Sequence, residues 1–156
     1  MRIHGRGIDK NDNIHIGLNS RLDTLQAAVL LEKLRIFPDE LEERNKIAMR
    51  YIYKLSSNRI VTPSLISGMV SSWAQFTIEV EDPDALAGGL GKAGIPTARY
   101  YPRPTHLQTA YQSYPIGAGG LANTDGASKR VISLPMHAYL GAESQAKVVQ
   151  LIKENV

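Results

Sequence analysis

The turn Asn19-Ser20-Arg21 sets a side-chain amide and a guanidinium two positions apart, immediately ahead of a long apolar run. Both groups donate hydrogen bonds, and at the mouth of a helix such a pair can hold an anion. A hydrogen bond to a charged group contributes roughly 1.5–3 kcal/mol net. The same tripeptide also reads as a helix cap, Asn19 or Ser20, followed by a surface arginine. The spacing alone leaves both readings open.

The second stretch with chemical potential is Arg99-Tyr100-Tyr101-Pro102-Arg103-Pro104-Thr105-His106. On a strand end, Tyr100 and Tyr101 alternate faces, so one enters the core and the other presents its phenol to a ligand. The two prolines that follow stiffen the exit. This segment also reads as a plain strand ending in a proline-rich turn. His106 is the candidate acid or base, against the simpler reading of a polar surface residue. His4, His15, His106 and His137 show no zinc-ligand spacing and no matching carboxylates, which argues against a metal site. There is no Gly-x-Ser-x-Gly, and the glycines at 117–120 lack the Lys-Ser/Thr of a phosphate loop.

Around these residues the elements follow from pattern. Residues 1–21 form a polar leader rich in Arg, Gly, Asp and Asn, with Ile14-His15-Ile16 as a brief extended segment. A first helix is expected over 22–36. Its apolar residues (Leu22, Leu25, Val29, Leu30, Leu31 and Leu34 among them) cover most of the circumference, so it should be buried on more than one face. Pro38 is expected to end that helix and open another, with Asp39 and Glu40 near its positive end. Leu41, Ala48, Tyr51, Ile52 and Leu55 then recur at helical steps, opposite a solvated face of Glu42, Glu43, Arg44, Lys46 and Arg50.

From Trp73, alternation sets Trp73, Gln75, Thr77 and Glu79 against Ala74, Phe76, Ile78 and Val80, the mark of a half-covered strand. A helix over 83–93 stopped by Gly94, a strand over 97–101, a turn-rich stretch over 111–123, a helix over 125–130, a strand over 131–134 and a helix over 142–154 complete the chain. This order predicts an α+β fold, a short, mostly antiparallel sheet backed by helices and preceded by a long apolar helix.

Composition narrows the function. The 156 residues suit one ordinary domain, and the 21% charged content argues against disorder. With no cysteine, disulfides, Cys-ligated zinc and a thiol nucleophile are excluded. The net charge of +3 is small and dispersed, which speaks against a nucleic-acid partner. No run reaches the ~20 apolar residues of a membrane span, and the start lacks a signal peptide's apolar core. A cytoplasmic location is the expectation.

In order, the motifs resemble a known family. Gly17-Leu18-Asn19-Ser20-Arg21-Leu22-Asp23-Thr24-Leu25-Gln26-Ala27-Ala28 looks like the Gly-x-Asn-x-Arg…Gln-Ala-Ala signature of DegT/DnrJ-type nucleotide-sugar aminotransferases, which depend on pyridoxal phosphate. Arg44 and Tyr51 fit that family's helical pattern. So do Gly94-Ile95-Pro96-Thr97, Tyr100-Tyr101-Pro102, Pro104-Thr105-His106-Leu107-Gln108 and Ser133-Leu134-Pro135-Met136-His137. The match extends from His4-Gly5 to the last helix. It looks closest to the branch that aminates the C3 ketone of a UDP-linked 2-acetamido-hexuronic acid.

The resemblance implies the small C-terminal domain of a fold-type-I pyridoxal-phosphate aminotransferase. Residues 1–21 would be the tail of the large cofactor-binding domain, 22–156 the small domain, and 22–36 the interdomain helix. None of the eight lysines sits in the family's Ser-rich lysine motif, so this stretch holds no catalytic residue and would be inactive alone. Asn19 would give its amide to the cofactor phosphate of the neighbouring subunit in a homodimer. Arg21 would hold the anionic part of the sugar nucleotide, Tyr100 and Tyr101 would line the sugar pocket, and His106 would stand nearby. Many relatives carry His where Tyr100 stands; a phenol there binds, but titrates only near about pH 10. L-glutamate is the implied amino donor. The alternative is a non-catalytic dimerisation or nucleotide-sugar-binding domain.

Overall fold

The computed structural model describes residues 3–9, 11–57 and 59–156. Arg2 and Lys10 of the polar leader lie outside the described residues. The chain divides into two compact units, Met1–Pro38 and Asp39–Val156.

In the first unit the leader is folded back on itself rather than loose. His4 N–H donates to Leu18 O at 2.9 Å, His15 N–H to Gly5 O at 3.1 Å and Gly7 N–H to Asp12 O at 2.9 Å. Single antiparallel bridges join Ile3 to Asn19 and Arg6 to Asn13, and 14–16 is not a strand. Gly5 makes this closure possible. It adopts φ +74°, and a Cβ there would sit 1.8 Å from His15 O, so only glycine fits.

Helix α1 (Thr24–Leu55) then runs unbroken for 32 residues with Pro38 inside it. The expected break at Pro38 is absent, and Asp39 and Glu40 do not stand at a helix start. An interior proline costs about 3 kcal/mol. The flanks, rich in Leu, Ala, Glu, Lys and Arg, are strong helix formers, and propagation past one missing bond is cheaper than a second nucleation. Leu25, Val29, Leu31 and Leu34 are 62–83% exposed on this chain. The expected burial of this stretch is therefore not made by the chain itself.

The second unit is an α/β layer. Strands β1 (Phe76–Glu79) and β2 (Val131–Leu134) pair antiparallel, with Phe76 opposite Leu134 and Ile78 opposite Ile132. Those four side chains face one core with Ile47, Tyr51 and Leu55 of α1, Leu86 and Leu90 of α2 (Pro83–Lys92), and Val148, Val149 and Ile152 of α4 (Ala142–Asn155). On the opposite face Thr77 Oγ1 and Ser133 Oγ share a hydrogen bond of 2.8 Å. Val61 and Ala98 each add one bridge, to Glu79 and Ser133. The strand expected over 97–101 is reduced to that contact at Ala98. Gly94, at φ +74°, ends α2 as its position suggested.

Two further expectations give way to packing. Trp73 is not on the polar side of a strand; it precedes β1 at φ +47° and is 4% exposed. Its large apolar ring outweighs the alternation, stacking 5.7 Å from Phe76, which in turn lies 5.0 Å from Tyr51. Nor are Arg44 and Arg50 on a solvated face. Arg44 Nη1 donates to Trp73 O at 3.1 Å, and Arg50 Nε to Gln145 Oε1 at 2.6 Å. Lys46 does pair outwardly, with Glu42 at 2.7 Å and Glu43 at 2.8 Å.

Among the described residues no helix is long and apolar enough to cross a membrane, and no group of three His, Asp or Glu is placed to hold a metal.

Candidate functional site

Asn19 and Arg21 stand in the first unit, in the irregular segment between the bridge at Asn19 and the start of α1. The helix begins at Thr24, and Asp23 O accepts its first bond, from Ala27 N–H at 2.9 Å. Asp23, not Asn19 or Ser20, thus occupies the cap position. The capping alternative is corrected: it was attractive because both residue types cap well, but the chain stays non-helical for three more residues after Ser20. Asn19 and Arg21 are both exposed, and among the described residues no hydrogen bond or ion pair engages either side chain.

In the second unit, Tyr100 and Tyr101 are 46% and 69% exposed, so neither enters the core. The expected division of faces fails because the segment does not continue as a strand past Ala98. The peptide joining the two tyrosines is cis, and their rings meet edge to face, 5.7 Å apart. Together they present two phenols to the outside. Arg99, just before them, is fastened inward, with Nη1 donating to Asp84 Oδ1 at 2.7 Å and Nη2 to Ser128 O at 2.8 Å. This anchors the tyrosine pair to α2 and to α3 (Ala122–Arg130).

His106 lies in a one-turn 3₁₀ segment, Thr105–Leu107, that follows the buried Pro104. Its imidazole is mostly covered, with Nε2 2.9 Å from Asp125 Oδ1. That oxygen is buried and, among the described residues, has no other partner. A buried carboxylate oxygen left without a donor costs roughly 1–3 kcal/mol or more, so the geometry favours a proton on His106 Nε2. Sequence reading missed Asp125. Its place in the first turn of a helix after a glycine turn carries no mark, and 19 residues separate it from its partner.

Each unit by itself offers groups for polar and anionic ligands: the first an amide and a guanidinium in one turn, the second two phenols on one anchored segment and an imidazole steadied by a carboxylate. Asn19 suits one edge of a cofactor phosphate as a single neutral donor, and Arg21 suits a carboxylate held through two parallel N–H bonds.

Residues 1–153 match the DegT/DnrJ/EryC1/StrS aminotransferase family. Among curated proteins, the UDP-2-acetamido-2-deoxy-3-oxo-D-glucuronate aminotransferase of Pseudomonas aeruginosa is 40% identical over 136 residues, 85% of this chain and 36% of that protein. A DegT DnrJ EryC1 StrS aminotransferase from Brucella abortus, known as a crystal structure, superposes with a TM-score of 0.90 at 48% identity, covering 97% of this chain and 40% of that one. NtdA from Bacillus subtilis, solved with bound cofactor PMP, gives a TM-score of 0.82 at 30% identity over 98% of this chain and 37% of its own. The chain thus spans well under half the length of these proteins. From its ordered motifs, its helix-backed antiparallel strands and this agreement along nearly all its length, the chain belongs to the DegT/DnrJ/EryC1/StrS aminotransferase family.

Proposed function

We propose that this chain is the C-terminal part of a pyridoxal-phosphate-dependent aminotransferase that moves an amino group from L-glutamate to the ketone of a nucleotide-linked sugar. The relative most informative on substrate is named for a UDP-linked 3-oxo-glucuronate, which favours a sugar bearing a carboxylate. In this reading residues 1–21 finish the large domain, 22–156 form the small domain, and the helix over 22–36 lies between them. The whole protein acts as a cytoplasmic homodimer making amino sugars for polysaccharides.

The observation that carries the reading is the exposed Asn19–Arg21 turn, free of any capping role, leading into an uncovered apolar helix. Such a row of exposed Leu and Val side chains expects a partner surface. Asn19 would donate its amide to the cofactor phosphate of the neighbouring subunit. Arg21 would orient the sugar through its carboxylate, and Tyr100 and Tyr101 would close the sugar pocket with hydrogen bonds from their phenols. His106 would border that pocket. When bound, the cofactor supplies an electron sink for the transfer; the lysine that would carry it lies outside this sequence.

The test is to express the chain with the coding region upstream of it and supply glutamate with a UDP-linked 3-oxo-hexuronate. Formation of 2-oxoglutarate is expected from the extended protein and none from the 156-residue chain. An extended protein that yields no 2-oxoglutarate with any keto sugar nucleotide would overturn the proposal and favour a binding domain.

A further inference from the structure

The approach to the tyrosine pair is held at two consecutive residues. Ala98 is fixed by its backbone, its N–H donating to Ser133 O at 3.2 Å and its carbonyl accepting from Ser133 N–H at 2.7 Å. Arg99 is fixed by its side chain, through Nη1 to Asp84 Oδ1 at 2.7 Å and Nη2 to Ser128 O at 2.8 Å. Beyond them, among the described residues, no backbone hydrogen bond engages Tyr100 or Tyr101. Both phenols therefore take their place from Arg99 and from each other, the rings meeting 5.7 Å apart.

Stability does not explain this arginine. Its side chain is only 20% exposed, and Nε is buried without a partner among the described residues. A buried charge with an unpaired donor is less favourable than an apolar side chain of similar size. The Asp84 side chain is 79% exposed, so the ion pair itself adds little. What the guanidinium supplies is geometry. Its planar fork reaches two elements at once, the first turn of α2 and the last turn of α3, where a lysine would reach only one. Asp84 is free for this task because Asp82 caps α2, its Oδ1 accepting from Asp84 N–H at 3.1 Å and Ala85 N–H at 2.9 Å.

We propose that Asp84 and Arg99 are positioning residues for the two tyrosines, so that Asp84 sets the affinity for the nucleotide-linked sugar through Arg99 without touching it. The inference rests on the aminotransferase reading for the identity of that ligand. It gives α2, which carries no residue of the pocket proposed above, a part in substrate affinity. A change at Asp84 frees one arm of the fork and lets both phenols shift together.

The experiment compares the extended protein with its Asp84→Asn, Asp84→Glu and Arg99→Gln variants. Asp84→Asn keeps the size of the side chain and leaves the Asp82 cap intact. In Asp84→Asn and Arg99→Gln, KM for the keto sugar nucleotide should rise about tenfold, the loss expected for one charge-assisted hydrogen bond, while KM for glutamate stays in place. Asp84→Glu keeps a carboxylate and should recover most of the loss. Once Tyr100→Phe and Tyr101→Phe have removed both phenols, Asp84→Asn should add nothing further, because the groups it positioned are gone. An unchanged sugar-nucleotide KM in both variants, a parallel rise in KM for both substrates, or effects that simply add to those of the tyrosine variants would each overturn the proposal. An extended protein without transamination sinks the aminotransferase reading alone, and the positioning is then read by NMR on the 156-residue chain. There Asp84→Asn should shift the amides of Tyr100 and Tyr101 and leave those of α4 in place; unmoved tyrosine amides sink the positioning alone.

Discussion

Asn45 Oδ1 accepts a hydrogen bond from Trp73 Nε1 at 2.9 Å, across 28 residues of sequence. The neighbouring Arg44 Nη1 donates to the carbonyl of the same tryptophan, and Ser71 Oγ accepts from its backbone N–H at 3.1 Å. Adjacent residues of α1 thus grip Trp73 at both its ring and its backbone, which sits at a positive φ that a bulky residue rarely adopts. Removing the acceptor with Asn45→Ala leaves a buried indole N–H unpaired and should cost about 1–3 kcal/mol. Thermal denaturation measures the loss. Because the chain has one tryptophan, its emission should also shift to the red.

Tyr51 is fully buried, and its hydroxyl donates to Pro135 O at 3.1 Å. Burial raises its phenol well above the ordinary value of 10.0, with Arg50 pulling weakly the other way. The folded chain therefore keeps this proton at a pH where the unfolded chain releases it. The associated stability is fully present below pH 10.0 and is lost as pH rises beyond it. Tyr51→Phe should flatten this alkaline decline, at a cost of roughly 0.5–1.5 kcal/mol near neutrality for the lost hydrogen bond. Urea unfolding of both proteins at pH values from neutral to alkaline checks the difference; parallel curves would refute it.

Gly5→Ala forces a Cβ against His15 O at a backbone angle that disfavours any side chain. The folded leader should open, with faster hydrogen exchange at the amides of His4 and His15. Emission from Trp73 should be unchanged.

Asn19→Ala in the extended protein should weaken cofactor retention about tenfold, the worth of one hydrogen bond to a charged group. Dialysis followed by the cofactor's absorbance measures it. Retention equal to that of the parent protein would remove Asn19 from the site.

The exposed Leu25, Val29, Leu31 and Leu34 should drive the 156-residue chain to associate. Light scattering over a concentration series should show a mass above 17.1 kDa. Val29→Glu with Leu34→Glu should return it to a monomer.

Local pattern alone determined much of this protein. The period-two run through Phe76 and Ile78, the helical spacing of Leu86 and Leu90, the stop at Gly94 and the strand at 131–134 all stand in the structure, because burial of one face dictates each. The motif order from Asn19-Ser20-Arg21 to Pro135-Met136-His137 was enough to name the family. Pro38 stays within α1, although proline by itself predicted a break, because its helix-forming flanks carry the helix past it. Tertiary structure decided the rest, and each case turns on a partner far away in sequence. Trp73 leaves its alternation to reach Phe76 and Asn45, and Arg44 and Arg50 leave the solvent for Trp73 O and Gln145. Asp125 gains meaning only from His106, 19 positions earlier. Periodicity records which side of an element is covered; it carries no record of which distant polar group completes a hydrogen bond there.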